Sequence, residues 1–169
     1  MSIISLVLLA VVANSSPLTD GTISVSGNGC YGDQKMVPVI GEKNRFELPI
    51  KVLLDKKSKI PFERKTCNMR LPIKLRKKQK LQISDISQIV HMDGRGLRST
   101  LTLSVVGKKT KPLIAATSTT LTSPGILTES DCDRDVILTA DLNVTANGPD
   151  IVSAKTEPVF VTLKIVNCN

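Results

Sequence analysis

The sequence predicts an all-β fold, an antiparallel β-sandwich that is barrel-like at most and is held by two disulfides. Three observations lead there. Apolar residues recur at every second position in short segments separated by Gly, Pro, Asn and Ser clusters, whereas helical periodicity is weak throughout. Hydrophobic residues make up 41% of the chain but aromatics only 2%, with no tryptophan, so the core must be aliphatic. The abundant Val, Ile, Leu and Thr suit a pleated, half-buried surface. The third observation is four cysteines, Cys30, Cys67, Cys132 and Cys168, spaced far apart with no C-x-x-C pair, which removes the main support for zinc-ribbon and thioredoxin readings.

Taken in order, Ile23 and Val25 alternate with Thr22, Ser24 and Ser26, and the Gly27-Asn28-Gly29 turn then leads into Cys30. Phe46, Leu48, Ile50, Val52 and Leu54 occupy every second position of the next segment. Pro49 has no amide donor, so this strand is expected at an edge or with a bulge. Cys67, Met69, Leu71, Ile73 and Leu75 alternate with Asn68, Arg70, Pro72, Lys74 and Arg76, which sets the cysteine on the buried face and cations on the other. Leu81 and Ile83 continue the pattern. Ser84 to Met92 fits a helical turn, with Ile86, Ile89 and Val90 at i, i+3 and i+4, as well as it fits a bulged strand. After the turn Asp93-Gly94-Arg95-Gly96, Leu101, Leu103 and Val105 form an expected hairpin arm. Two last strands follow, through Val136, Leu138, Ala140, Leu142 and Val144, and through Val159, Val161, Leu163 and Ile165.

The apolar run from Ile3 to Ala13 is too short to span a bilayer and reads as a signal-peptide core, with small residues at Val11 and Ala13 for cleavage. No Lys or Arg precedes it, so the signal is atypical or the start lies upstream. The expected organisation is a signal peptide over 1–15 and one sandwich domain over 16–169, exported to an extracytoplasmic space. An even cysteine count behind such a signal points to two disulfides. Four cysteines allow three connectivities, and the expected one is sequential, Cys30 with Cys67 and Cys132 with Cys168, because it closes two local loops.

Gly27-Asn28-Gly29-Cys30, the stretch Arg64-Lys65-Thr66-Cys67-Asn68-Met69-Arg70-Leu71, and the later Cys132 and Cys168 together resemble a family of small secreted proteins known as domain of unknown function 4360. The resemblance implies export and a β-rich fold, and it supplies no chemistry.

Catalytic candidates are few. His91 is the only imidazole, and it could serve as a general base oriented by Asp93; an isolated surface histidine is the plainer reading. No G-x-S-x-G, H-E-x-x-H or phosphate-cradling glycine loop is present. Asp131, Asp133 and Asp135, with Glu129, alternate as calcium ligands can, although Arg134 sits among them and the EF-hand Gly and Glu are missing. A solvated acidic turn is the plainer reading here too, and no cofactor is expected. Asn14 and Asn143 begin N-x-S/T sequons, which matter only in a eukaryotic secretory pathway.

Charge is the strongest asymmetry. The chain carries a formal +8, and Lys56 to Lys80 holds Lys56, Lys57, Lys59, Arg64, Lys65, Arg70, Lys74, Arg76, Lys77, Lys78 and Lys80, eleven cations against the single acid Glu63. On one strand face and its flanking turns this charge would draw an anionic glycan, a lipid headgroup or an acidic cell-surface partner. A solubilising face that blocks sheet-to-sheet aggregation is the bland alternative. Nucleic acid is disfavoured, since only Phe62 offers a stacking ring in the region. The functional expectation is therefore a non-catalytic, secreted or envelope-associated binding or structural protein. The alternatives are a hydrolase with an unrecognised site and a pilin-like subunit that exchanges strands.

Overall fold

A computed structural model describes Leu18 and residues 22–168. The expected signal peptide and the Asn14 sequon lie outside the described residues. Two antiparallel sheets pack face to face. Sheet I has the order β1 (Ser24–Ser26), β5 (Phe62–Ile73), β11 (Val136–Asn147), β7 (Leu97–Val105), β8 (Lys108–Lys109), with β9 (Leu113–Ala115) also on β7. Sheet II has the order β10 (Thr119–Glu129), β6 (Gln79–Asp93), β12 (Val152–Asn167), β3 (Arg45–Leu48), β2 (Val37–Pro38), with β4 (Leu53–Lys56) also on β12. There is no helix among the described residues.

Alternation makes the core. Cys67, Met69, Leu71 and Ile73 on β5 and Leu138, Ala140, Leu142 and Val144 on β11 are buried in one cluster with Leu81 and Ile83 of β6 and Val159, Val161 and Leu163 of β12. Each fully buried Leu or Ile contributes roughly 1.5–3 kcal/mol against conformational entropy, so aliphatic area compensates for the scarcity of rings.

The disulfides join Cys30 to Cys67 and Cys132 to Cys168, the sequential pairing. The first lies mid-sandwich, where Cys30 bridges to Val52 and Asn28 Oδ1 accepts from the Thr66 amide at 2.9 Å. The second closes the end of the sandwich beside the β5–β6 turn, where the Cys168 amide donates to the Lys78 carbonyl.

Pro49 breaks its strand outright. β3 stops at Leu48, the Ile50 amide turns back to the Leu48 carbonyl at 2.8 Å, and the chain resumes as β4, still against β12. Ser84–Met92 is strand. Asp85 takes φ 49° in a bulge, and its carboxylate accepts the Gly125 amide at 2.8 Å. The Asp93–Gly96 turn is not a hairpin, which corrects the sequence expectation. It carries the chain from β6 in sheet II to β7 in sheet I, because both strands turn their apolar faces to the same core from opposite sides. β10 had no clear alternation, and its outer edge is unpaired among the described strands; the bulge at Pro124–Gly125 interrupts that edge.

Candidate functional site

The outer face of sheet I is polar across three long strands. Register places Arg70 between Ser24 and Thr139, Asn68 between Ser26 and Asp141, Asp141 opposite Thr102, and Asn143 between Thr66 and Thr100. Nearer the start of β5, Thr145 separates Arg64 from Arg98, two guanidinium-bearing positions spanning two strand spacings, about 10 Å. Lys109 stands opposite Ser104 on the far side. These positions point outward because their neighbours Cys67, Met69, Leu142 and Leu101 are committed to the core.

A groove of about 550 Å³ crosses this face. Its floor is Thr66 and Asn68 of β5, Asp141 and Asn143 of β11 and Thr102 of β7, with Arg64 at one side and Lys109, Thr110 and Pro112 at the other. The Arg64 guanidinium donates from Nε and Nη2 to Asn143 Oδ1, the Nε bond being 3.1 Å, which fixes both side chains. The groove therefore presents guanidinium, ammonium, amide, hydroxyl and carboxylate groups, and no aromatic ring. Smaller clefts lie between Ile86, Leu113 and Ile126 at the open edge, and around Asn28, Tyr31 and Lys65 beside the first disulfide.

The eleven cations of the basic stretch do not share one face. β5 alone spans roughly 40 Å at the rise of a strand, and the stretch overruns it at both ends. Arg64 and Arg70 stand on the outer face of sheet I, with exposed Lys74 just past the strand. Arg76, Lys77 and Lys78 form the β5–β6 turn, whereas Lys57 and Lys59 sit in the β4–β5 loop at the opposite end. Lys57 pairs with Asp55, Lys65 with Glu63 and Lys80 with Glu129. Lys56 drops out of any anion-binding surface. It is 1% exposed, and its Nζ donates to the carbonyls of Gly148 at 2.5 Å and Asp150 at 2.8 Å, which tie β4 to the β11–β12 loop. Its place in an alternating segment, after Leu54, put it on the inward side.

The acidic turn does not gather its oxygens. Asp131 turns to Lys108 at 2.6 Å, Asp133 accepts the Lys78 amide and Asp135 accepts the Leu75 amide at 3.2 Å. Among the described residues no group of three His, Cys, Asp or Glu side chains is placed to hold a metal. His91 lies on the outer face of sheet II, its side chain 57% exposed, with Nε2 3.8 Å from Glu157 rather than oriented by Asp93. The groove on sheet I includes neither His91 nor a second carboxylate beside Asp141.

Fold and site together describe a disulfide-bonded β-sandwich with a polar groove on a sheet face. No protein-family model and no curated protein matches the chain. Among solved structures, one described as TmCBM61 in complex with beta-1,4-galactotriose is similar with a TM-score of 0.37 and 11% identity, over 86% of this chain and 88% of that one.

As site residues the groove's Asn68, Thr102, Asp141 and Asn143 were not singled out in the sequence, where Asn143 stood only as the start of a sequon and Asn68 only within the stretch around Cys67. One signal was available: Asp and Asn are depleted from strands, yet both occupy the middle of β11.

Proposed function

We propose that the protein is an exported binding module that holds an acidic glycan in the groove on sheet I. The observation that carries this reading is the groove itself. Side-chain donors and acceptors stand in register on three adjacent strands, about 4.8 Å apart and so close to the length of a pyranose ring. Hydroxyl-rich ligands are recognised by such arrays of amides, carboxylates and hydroxyls, each neutral hydrogen bond contributing about 1 kcal/mol net. Arg64, Arg70, Arg98 and Lys109 outnumber the single acid Asp141 on this face, which favours a carboxylated or sulfated sugar over a neutral one. Two disulfides fit an oxidising, extracytoplasmic compartment. Kinship with the domain of unknown function 4360 family is part of the reading and is carried by the turn and cysteine motifs quoted above. A non-catalytic role is supported by a groove with one carboxylate and no imidazole.

Calorimetric titration with a uronic-acid oligosaccharide and its carboxyl-reduced neutral counterpart tests this. Saturable, salt-sensitive binding of the acidic form is expected, weakened about tenfold or more by Arg64→Ala through loss of a charge-assisted bond. Equal binding of the neutral form, or no effect of Arg64→Ala and Asp141→Ala, overturns the reading.

A further inference from the structure

Three connections close one end of the sandwich, the β4–β5 loop, the β6–β7 turn and the β11–β12 loop, and each crosses from one sheet to the other. They are laced together. The Gly148 amide donates to the Pro61 carbonyl at 2.8 Å and the Asn147 amide to the Gly96 carbonyl at 2.9 Å. Gly96 has φ 73°, and a Cβ there would lie 2.1 Å from the Asn147 carbonyl oxygen, so only glycine permits that approach. Beneath them the buried ammonium of Lys56 holds the carbonyls of Gly148 and Asp150, on either side of Pro149.

This well-bonded end presents apolar side chains to water. Ile60 is 45% exposed, Phe62 53% and Ile151 67%; Ile60 and Ile151 lie on two of these connections and Phe62 is the first residue of β5. They line neither the groove on sheet I nor the two smaller clefts. Lys57 and Lys59 of the β4–β5 loop, Arg95 of the β6–β7 turn and Arg98 near the start of β7 belong to the same end and are exposed. Lys57 bonds Asp55, while Asp93 and Asp150 are the other exposed acids of these connections. Apolar projections at one end of the sandwich, accompanied by four exposed cations against three exposed acids, match an anionic lipid surface: the apolar groups enter the acyl boundary and the cations meet headgroups.

We infer that this end docks on anionic membranes through Ile60, Phe62 and Ile151, with Lys57, Lys59, Arg95 and Arg98 on the headgroups. The chain has no tryptophan, so Phe62→Trp supplies the sole indole reporter. With vesicles of phosphatidylcholine mixed with phosphatidylglycerol, its emission shifts to the blue and is quenched by brominated acyl chains. Co-sedimentation of the otherwise unaltered chain with the same vesicles falls about tenfold or more for Ile60→Asp and for Ile151→Asp, each of which replaces an inserted apolar group by a charge. Ile40→Asp, at a fully exposed isoleucine in the β2–β3 connection, and Asp141→Ala in the groove leave vesicle binding unchanged. Three results overturn the inference: no co-sedimentation, equal binding to phosphatidylcholine alone, or binding indifferent to Ile60→Asp and Ile151→Asp. A lipid-independent dimer abolished by Ile151→Asp overturns it as well, since the tip would then meet a second copy.

Discussion

The two disulfides form a matched pair on which the origin of stability can be measured. Cys30–Cys67 spans a sequence separation of 37 and Cys132–Cys168 one of 36. Chain-entropy reasoning then assigns each the same effect on the unfolded state, about 4 kcal/mol, with a difference below about 0.1 kcal/mol. Their native surroundings differ. Cys67 is fully buried in the central cluster with Met69 and Leu142, whereas Cys132 and Cys168 are half-exposed at the end of the sandwich. Removing the buried sulfur adds a cavity cost of about 1–2 kcal/mol that the outer pair does not carry. The expected result is a loss of about 4 kcal/mol for Cys132→Ala with Cys168→Ala, and about 5–6 kcal/mol for Cys30→Ala with Cys67→Ala. Guanidinium denaturation followed by far-ultraviolet circular dichroism measures both. A larger loss for the outer pair, or a loss below about 1 kcal/mol for either, would refute the reasoning, because unfolded-state restriction and core packing would then not be the governing terms.

Two further outcomes follow from local geometry. Gly27→Ala should destabilise by about 2 kcal/mol or more, because φ is 137° and the new Cβ would lie 2.2 Å from the Thr66 carbonyl oxygen; an unchanged denaturation midpoint would contradict this. Asp85 is held below its ordinary value chiefly by the Gly125 amide, Glu129 by Lys80 and Glu157 by Lys155. A depressed carboxyl contributes stability above its unfolded value and loses it as pH falls through the folded one. Urea midpoints should therefore hold near neutrality and drop below about pH 4, less steeply in a variant combining Asp85→Asn, Glu129→Gln and Glu157→Gln; identical acid limbs would count against it.

Much of the fold was legible because period-two burial is imposed by geometry. Cys67, Met69, Leu71 and Ile73 announced an inward face, and the disulfide joined the cysteine predicted to lie on it. β10 was not legible, since an edge strand of Thr and Ser with Pro124 and Gly125 at its centre needs no alternation: one side of it meets solvent. Nor did the Asp93–Gly96 turn reveal that it changes sheets, since local turn chemistry is the same whether the next strand pairs with its predecessor or faces it. The basic stretch showed its charge but not its dispersal, because charge is a property of composition and a patch is a property of register. Asp141, and Asn143 beyond its place in a sequon, are the instructive omission. Polar residues facing outward are ordinary, and only their poor fit to a strand marked them as more than a solvated surface.

The position of β12 has a consequence for how the molecule comes into being. The last of the described strands lies between β6 on one side and β3 and β4 on the other, so those earlier strands have no common neighbour until β12 has been made. Sheet II therefore stays in two parts, β10 with β6 and β2 with β3, until β12 seats between them, and the Cys132–Cys168 bond fastens the chain just past the end of that strand.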